Sequence, residues 1–149
     1  MSWSDAYIGI PEATYGHDFD GCNCWGLAKL VYGRELGITL PSYRGFLASR
    51  EERTEIDSLI GDAALSAIWK RQERPGPFDL MLYRRGNLIT HIGIHVSRRR
   101  MLHVASGSQS RIDDPDGQRF KVRHMGDYRH VETSVEQVVE HPLQSSGRT

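Results

Sequence analysis

Residues 88–96 read LITHIGIHV. Ile92, Ile94 and Val96 fall on one side of an extended chain, and His91, Gly93 and His95 fall on the other. Nine residues that alternate this cleanly fit a half-buried strand and do not fit a helix. DLMLY (79–83) precedes this segment across the turn RRGN. MLHVAS (101–106) follows it across SRRR. Three strands joined by short turns predict an antiparallel meander. Before residue 75 the pattern has a longer period. Cys24, Leu27, Leu30 and Val31 recur with helical spacing, with Asn23 as N-cap and Gly33 or Gly37 as the stop. Residues 50–72 carry the strongest helical face, from Ile56 through Leu59, Ile60, Leu65, Ile68 and Trp69, up to the stop ERPGPFD. A further short helix is expected over residues 1–10, packing Tyr7, Ile8 and Ile10, and another over SVEQVVEH. RFKVRHM and DYRHVET are expected as strands, and SGSQSRIDDPDGQ as loop. Helices first and a meander after predict the α+β class.

The alternation also orders the chemistry. His103 in MLHVAS shares a sheet face with His91 if the connection between the two strands holds an odd number of residues. The two rings would then lie within about 5–8 Å. Gly93 leaves that face bare, so a helix end could approach there. A cysteine at a helix start beside an imidazole is the arrangement that activates a thiol. The helix dipole and an imidazolium both favour the thiolate, and a second histidine can fix the tautomer of the first. The residues therefore predict Cys24 as nucleophile, His91 as base and then acid, and His103 as orienter. Either histidine alone would more often be a satisfied sheet residue, and Cys24 alone a buried structural thiol.

Other classes are disfavoured. Lysine and arginine total 19, as do aspartate and glutamate. A neutral chain is a poor match to nucleic acid, whose binding leans on many phosphate contacts. No run approaches the roughly 20 apolar residues of a membrane span, and the N-terminus does not look like a cleaved signal. Cys22 and Cys24 stand too close to bridge easily. His91 and His95, four apart on a strand, are about 13 Å apart and cannot share an ion. No metal and no cofactor is expected. The 149 residues fit one domain.

CWGLAKLVY, PGPFDLMLYRR and HIGIHVSRRRMLHVAS together resemble the NlpC/P60 family of papain-like cysteine peptidases. The branch most similar is that of phage and gene-transfer-agent tail cell-wall peptidases. The resemblance covers about residues 5–106, with residues 107–149 left to complete the sheet and form a tail. It implies a papain-like fold with the nucleophile helix on an antiparallel sheet. It also implies a metal-free cysteine endopeptidase that cuts peptidoglycan stems through a thioester, typically at the D-glutamyl–diaminopimelate bond. The partners implied are peptidoglycan and phage-like tail or baseplate proteins. The chain would be made in the cytoplasm, incorporated in a virion-like tail, and act at the cell wall. The family's Asp before the nucleophile is Asn23 here. Its Tyr about twelve residues earlier falls on Glu12, which leaves Tyr15 and Tyr7 as oxyanion candidates; Trp25 is a site candidate whose plainer reading is core packing against the sheet, and His95 is expected at the site edge or facing solvent. The family's Pro-Gly-Asp aligns either through Pro75–Gly76, with Asp79 displaced, or through Pro77-Phe78-Asp79. A structural tail-tip component with a vestigial site is the rival from a different class.

Overall fold

The computed structural model describes residues 2–13, 16–40, 68–85, 88–105 and 107–133. The C-terminal helix expected over SVEQVVEH, most of the helix expected over 50–72, and Tyr15 lie outside these residues.

The chain enters through a 3-10 turn, Trp3–Tyr7, capped by Ser2. This replaces the helix expected over 1–10. Tyr7 and Ile10 are buried, whereas Ile8 faces solvent. A two-residue hairpin follows, β1 (His17–Asp18) with β2 (Gly21–Cys22). Then comes α1 (Cys24–Val31). A π-helical turn, Tyr32–Leu36, prolongs it and ends where Gly37 takes φ 67°. Without a Cβ, glycine enters that left-handed region at no steric cost, which makes Gly37 the C-terminal stop.

The remaining strands are β3 (Trp69–Gln72), β4 (Leu80–Arg85), β5 (Leu88–Ser97), β6 (Arg100–His103), β7 (Arg111–Asp113) and β8 (His124–His130). They form one sheet in the order β3-β8-β4-β5-β6-β7, and every neighbouring pair is antiparallel. The chain is α+β, a helix packed on an antiparallel sheet. Residues 69–72, expected as the end of a helix, are strand β3. Trp69 pairs with His130 across β8, and their rings meet edge to face at 4.8 Å. Cross-strand packing overrides the helical period there. RFKVRHM is not one strand: Gln118–Lys121 form a short helix, α2, and β8 begins at His124.

The β5–β6 connection settles which face each histidine occupies. Arg98 and Arg99 form a two-residue turn, with Arg99 at φ 61°, and Ser97 pairs with Arg100. That even count alone would place His103 opposite Ile94 and turn it to the other face from His91. A bulge between His95 and Ser97 shifts the register, so Ile94 pairs with Leu102 and His95 with Met101. One extra residue in one strand flips every side chain beyond it. The bulge does the work expected of an odd loop.

The two faces differ in character. Leu80, Leu82, Ile92, Ile94, Val96, Leu102 and Val104 join Leu27, Ala28 and Val31 of α1 in one apolar core. On the other face Met81, Tyr83 and Met101 pack with Phe120 of α2. Gly93 lies on this second face, and among the described residues the Met101 side chain, not a helix end, stands nearest to it. A Cβ there would meet the Met101 sulfur at 2.2 Å, so the methionine fills the space that the glycine leaves.

Candidate active site

Asn23 precedes α1 with an extended backbone, and its Oδ1 accepts from the Gly26 N–H at 2.6 Å. That bond satisfies one of the free N–H groups of the first turn and fixes where the helix begins. Gly26 lets the turn lie directly on the loop before it: a Cβ would stand 1.9 Å from the Gly16 carbonyl oxygen. Cys24 is thereby the first helical residue, and it is buried. Its thiol lies against the backbone N–H groups of Ile92, Trp25 and Cys24 itself. Ile92 is the neighbour in sequence of His91. Burial pushes the thiol up to about 12, and those N–H groups pull only weakly the other way. The sulfur is therefore a neutral thiol at rest, not the dipole-stabilised thiolate expected from the helix start. Desolvation outweighs the dipole here.

His91 and His103 meet as the register demands. His91 Nε2 lies 2.8 Å from His103 Nδ1. Beyond them lies a residue that sequence reasoning missed. His103 Nε2 is 2.6 Å from Asp113 Oδ2, and Asp113 is held in turn by Arg111 Nε at 2.7 Å. Arg111 also donates to Ser108 Oγ at 2.9 Å. Asp113 sits in RIDDPDG, where Asp, Pro and Gly imitate a turn. Three residues of it form β7, pairing His103 with Arg111. A run that short carries too little alternation to be recognised.

The chain of bonds sets the direction of every proton. Burial raises the Asp113 carboxyl, but the bonds from Arg111 and His103 outweigh it and hold the group below the usual range. As a carboxylate it only accepts, so His103 Nε2 carries the proton. Burial keeps His103 neutral against the pull of Asp113, which leaves Nδ1 as acceptor. His91 Nε2–H must then donate, and His91 Nδ1 keeps its lone pair. Burial lowers His91 to about 3, with help from His103 and Arg111. The resting pair is a neutral thiol with a neutral base.

The other expected site residues lie elsewhere. Tyr7 is fully buried, and its hydroxyl donates to Glu35 Oε2 at 2.7 Å. Glu35 is eleven residues beyond Cys24, roughly 15 Å along a helix, so Tyr7 is no oxyanion donor. It stacks on Phe19 and meets Trp3 edge to face. Trp25 is a core residue against Trp69. His95 is buried away from the histidine pair, in the wall of a separate cavity. Cys22 is a buried β2 residue. Glu12 bridges to Cys22 in the backbone, and its Oε1 accepts from the Gly107 N–H at 3.3 Å, which ties down the loop after His103. Asp79 is structural: its buried carboxylate takes both Arg129 Nε and Nη2, at 2.8 and 2.9 Å, and the Gly76 N–H at 2.7 Å.

A sequence model of the NlpC/P60 family matches residues 12–129. The chain belongs to the NlpC/P60 family. Solved structures agree on the fold. One is a protein similar to lipoprotein, of the NLP/P60 family, from Staphylococcus aureus subsp. aureus Mu50, with 19% identity and a TM-score of 0.55 over 85% of this chain and 38% of that one. A family member from Bacillus cereus ATCC 10987 gives 16% identity and a TM-score of 0.62 over 86% of this chain and 38% of that one. The NlpC/p60 domain of the peptidoglycan hydrolase SagA gives 17% identity and 0.58, over 85% of this chain and 92% of that domain. The chain thus spans under half the length of the first two. No curated protein sequence matches it. No described helix is long and apolar enough to cross a membrane.

Proposed function

We propose that this chain is a cysteine peptidase that hydrolyses peptide stems of peptidoglycan. The observation that carries the reading is the relay Asp113–His103–His91, which leaves the His91 Nδ1 lone pair one residue from the backbone N–H that holds the Cys24 thiol. Family membership and the likeness to the domain of a peptidoglycan hydrolase support it.

In this mechanism His91 Nδ1 takes the proton of Cys24 as the sulfur attacks the carbonyl carbon. No preformed ion pair is needed, because a neutral base and a neutral thiol react by general-base transfer. The Ile92, Trp25 and Cys24 N–H groups stand beside the sulfur and are the donors offered to a developing oxyanion. His91 then gives its proton to the leaving amine, and a thioester remains. Water, deprotonated at the same nitrogen, releases the acyl group. The D-glutamyl–diaminopimelate bond is the bond proposed, and delivery by a phage-like tail the route, both on the resemblance of the motifs.

The experiment is mass spectrometry of defined muropeptides incubated with the chain and with Cys24→Ala. The wild type should cut, and the variant should lose at least about 10⁴-fold in rate while its circular dichroism is unchanged. Continued cutting by Cys24→Ala would end the mechanism. The burial of Cys24 and its raised pKa favour a second reading, a tail component with a latent site. Muropeptides left intact by the wild type would decide for it.

A further inference from the structure

Asp113 Oδ2 is a shared acceptor. His103 Nε2 reaches it at 2.6 Å and Arg111 Nε at 2.7 Å. The sheet brings the three side chains to one face. His103 pairs with Arg111 across β6 and β7, and Met101 pairs with Asp113. Arg111 and Asp113 are two apart on one strand, so they project together, and Asp113 meets His103 on the diagonal. The guanidinium is held at a second point as well. Its Nη1 donates to Ser108 Oγ at 2.9 Å. Ser108 is fixed in turn through its backbone: its N–H donates to the Ala105 carbonyl at 3.1 Å, and its carbonyl accepts from the Glu12 N–H at 3.0 Å.

The members of the relay differ in one respect. A carboxyl or an imidazole can present either a proton or a lone pair, whereas a guanidinium only donates. Asp113, His103 and His91 could therefore hand their protons along in either direction. In one, His103 Nε2–H donates to Asp113, His91 Nε2–H donates to His103 Nδ1, and His91 Nδ1 is a lone pair. In the other, a proton on Asp113, or a second proton on His103, turns His103 Nδ1 into a donor. His91 Nε2 must then accept, and the proton of a neutral His91 sits on Nδ1, where the thiol needs a base. Arg111 opposes the second arrangement. Oδ2 already accepts a charged N–H, which makes it a poor place for a proton, and the cation balances the carboxylate, so no imidazolium is called for. Burial keeps both rings neutral, and the Arg111 charge adds to that effect.

We propose that Arg111 is the positioning residue that fixes the direction of the relay. It holds Asp113 Oδ2 as an acceptor, and through Asp113 and His103 it leaves His91 Nδ1 its lone pair. The consequence for rate rests on the peptidase reading, whereas the proton positions rest on the bonds themselves. The side chains of Arg111 and Asp113 are 36% and 32% exposed. An ion pair so exposed adds little to stability, so the contact is better suited to orient than to hold the fold together.

The test follows the ring nitrogens of His91 and His103 in the full chain by long-range ¹H–¹⁵N spectroscopy at pH 7. In the wild type both rings should carry their proton on Nε2. In Arg111→Gln at least one of the two Nδ1 atoms should gain a proton. Arg111→Lys keeps the charge and should keep the wild-type pattern. With muropeptides, Arg111→Gln should lower kcat about 10–100-fold and leave KM within about twofold, and Arg111→Lys should restore kcat to within about fivefold of the wild type. Because Arg111 acts through Asp113, adding Arg111→Gln to Asp113→Ala should slow turnover by less than about twofold more. A wild type with a proton on either Nδ1, an unaltered pattern in Arg111→Gln, an altered one in Arg111→Lys, or an additive loss in the double variant would each overturn the proposal. Muropeptides left intact by the wild type would sink the peptidase reading alone, since the spectra need no substrate and still decide the role of Arg111.

Discussion

The two faces of the sheet are made by the same strands and do different work. One face of β5 and β6 carries Ile92, Ile94 and Leu102, with Val104 just beyond the end of β6, all nearly inaccessible, against α1. The opposite face carries His91, His95, Met101 and His103, interleaved one for one with the first set. Its aromatic and imidazole rings pack together: His91 lies 5.0 Å from His103 and 6.1 Å from Tyr83, and Phe120 covers His103 at 5.3 Å. The difference teaches how a small sheet can hold chemistry. Burying a polar side chain is costly without partners, so the second face surrounds its histidines with one another, with Asp113 and with aromatic edges. The thiol is the exception in placement. It belongs to the apolar side and meets the strand at the backbone of Ile92.

The comparison breaks most sharply at Leu102. Truncation to alanine leaves a cavity under α1 and should cost about 2–5 kcal/mol, read as a lower midpoint in urea. Its neighbours His103 and Met101 face the other way, so turnover per folded molecule should stay within about twofold. A tenfold loss of turnover in the folded fraction would show that the faces are not separable.

A smaller effect is expected from the second face. Asp113→Asn removes the carboxylate that sets the direction of the relay and keeps the approximate shape. Removing a group that orients a functional histidine costs about 10–100-fold, or about 1.4–2.7 kcal/mol in barrier. Stability should change little, because Asp113 is only partly buried. The pH profile separates this role from simple packing. Burial holds His91 near 3, below the ordinary histidine value of about 6.5. The base therefore stays unprotonated, and activity should persist as pH falls through 6.5 and decline only well below pH 5. Asp113 is not among the groups that shift His91, so the variant should be slower at every pH with the acid limb unmoved. A limb near 6.5 in the wild type would mean that His91 is not buried when it works.

Much of this architecture was legible because periodicity reports burial directly. The meander, the start of α1 at Asn23, the shared face of His91 and His103 and the stop at Gly37 all follow from which side chains must avoid water. Three features were hidden, each for a physical reason. β7 is too short to show alternation, and its Asp-rich run mimics a turn, so Asp113 was passed over. β3 borrows its strand character from pairing with β8, and Trp69 suits a helix face equally well. The bulge after His95 leaves no composition signal, although it decides whether the two histidines meet. The resting charge of Cys24 was also misjudged, because the helix start is visible in sequence and the depth at which it is buried is not.

The mildest prediction concerns the point where the two faces come together. The resemblance to the family calls for an aspartate just before position 24, and Asn23 stands there instead. Its Oδ1 accepts from the Gly26 N–H, a bond that needs an oxygen and not a charge. Asn23→Ala should cost about 1 kcal/mol, seen as a modest drop in the urea midpoint, and should loosen the turn that presents Cys24. Asn23→Asp keeps the oxygen and adds a negative charge at a helix N-terminus, which is favourable for the helix, so its stability should match or slightly exceed the wild type. That charge would stand one residue from the sulfur and oppose thiolate formation. If capping is the whole task, the aspartate variant turns over like the wild type, because the thiol reacts from its neutral form. If it is stable yet slower by tenfold or more, then negative charge accumulates on the sulfur before the proton has settled on His91, and the neutral pair is not the species that attacks.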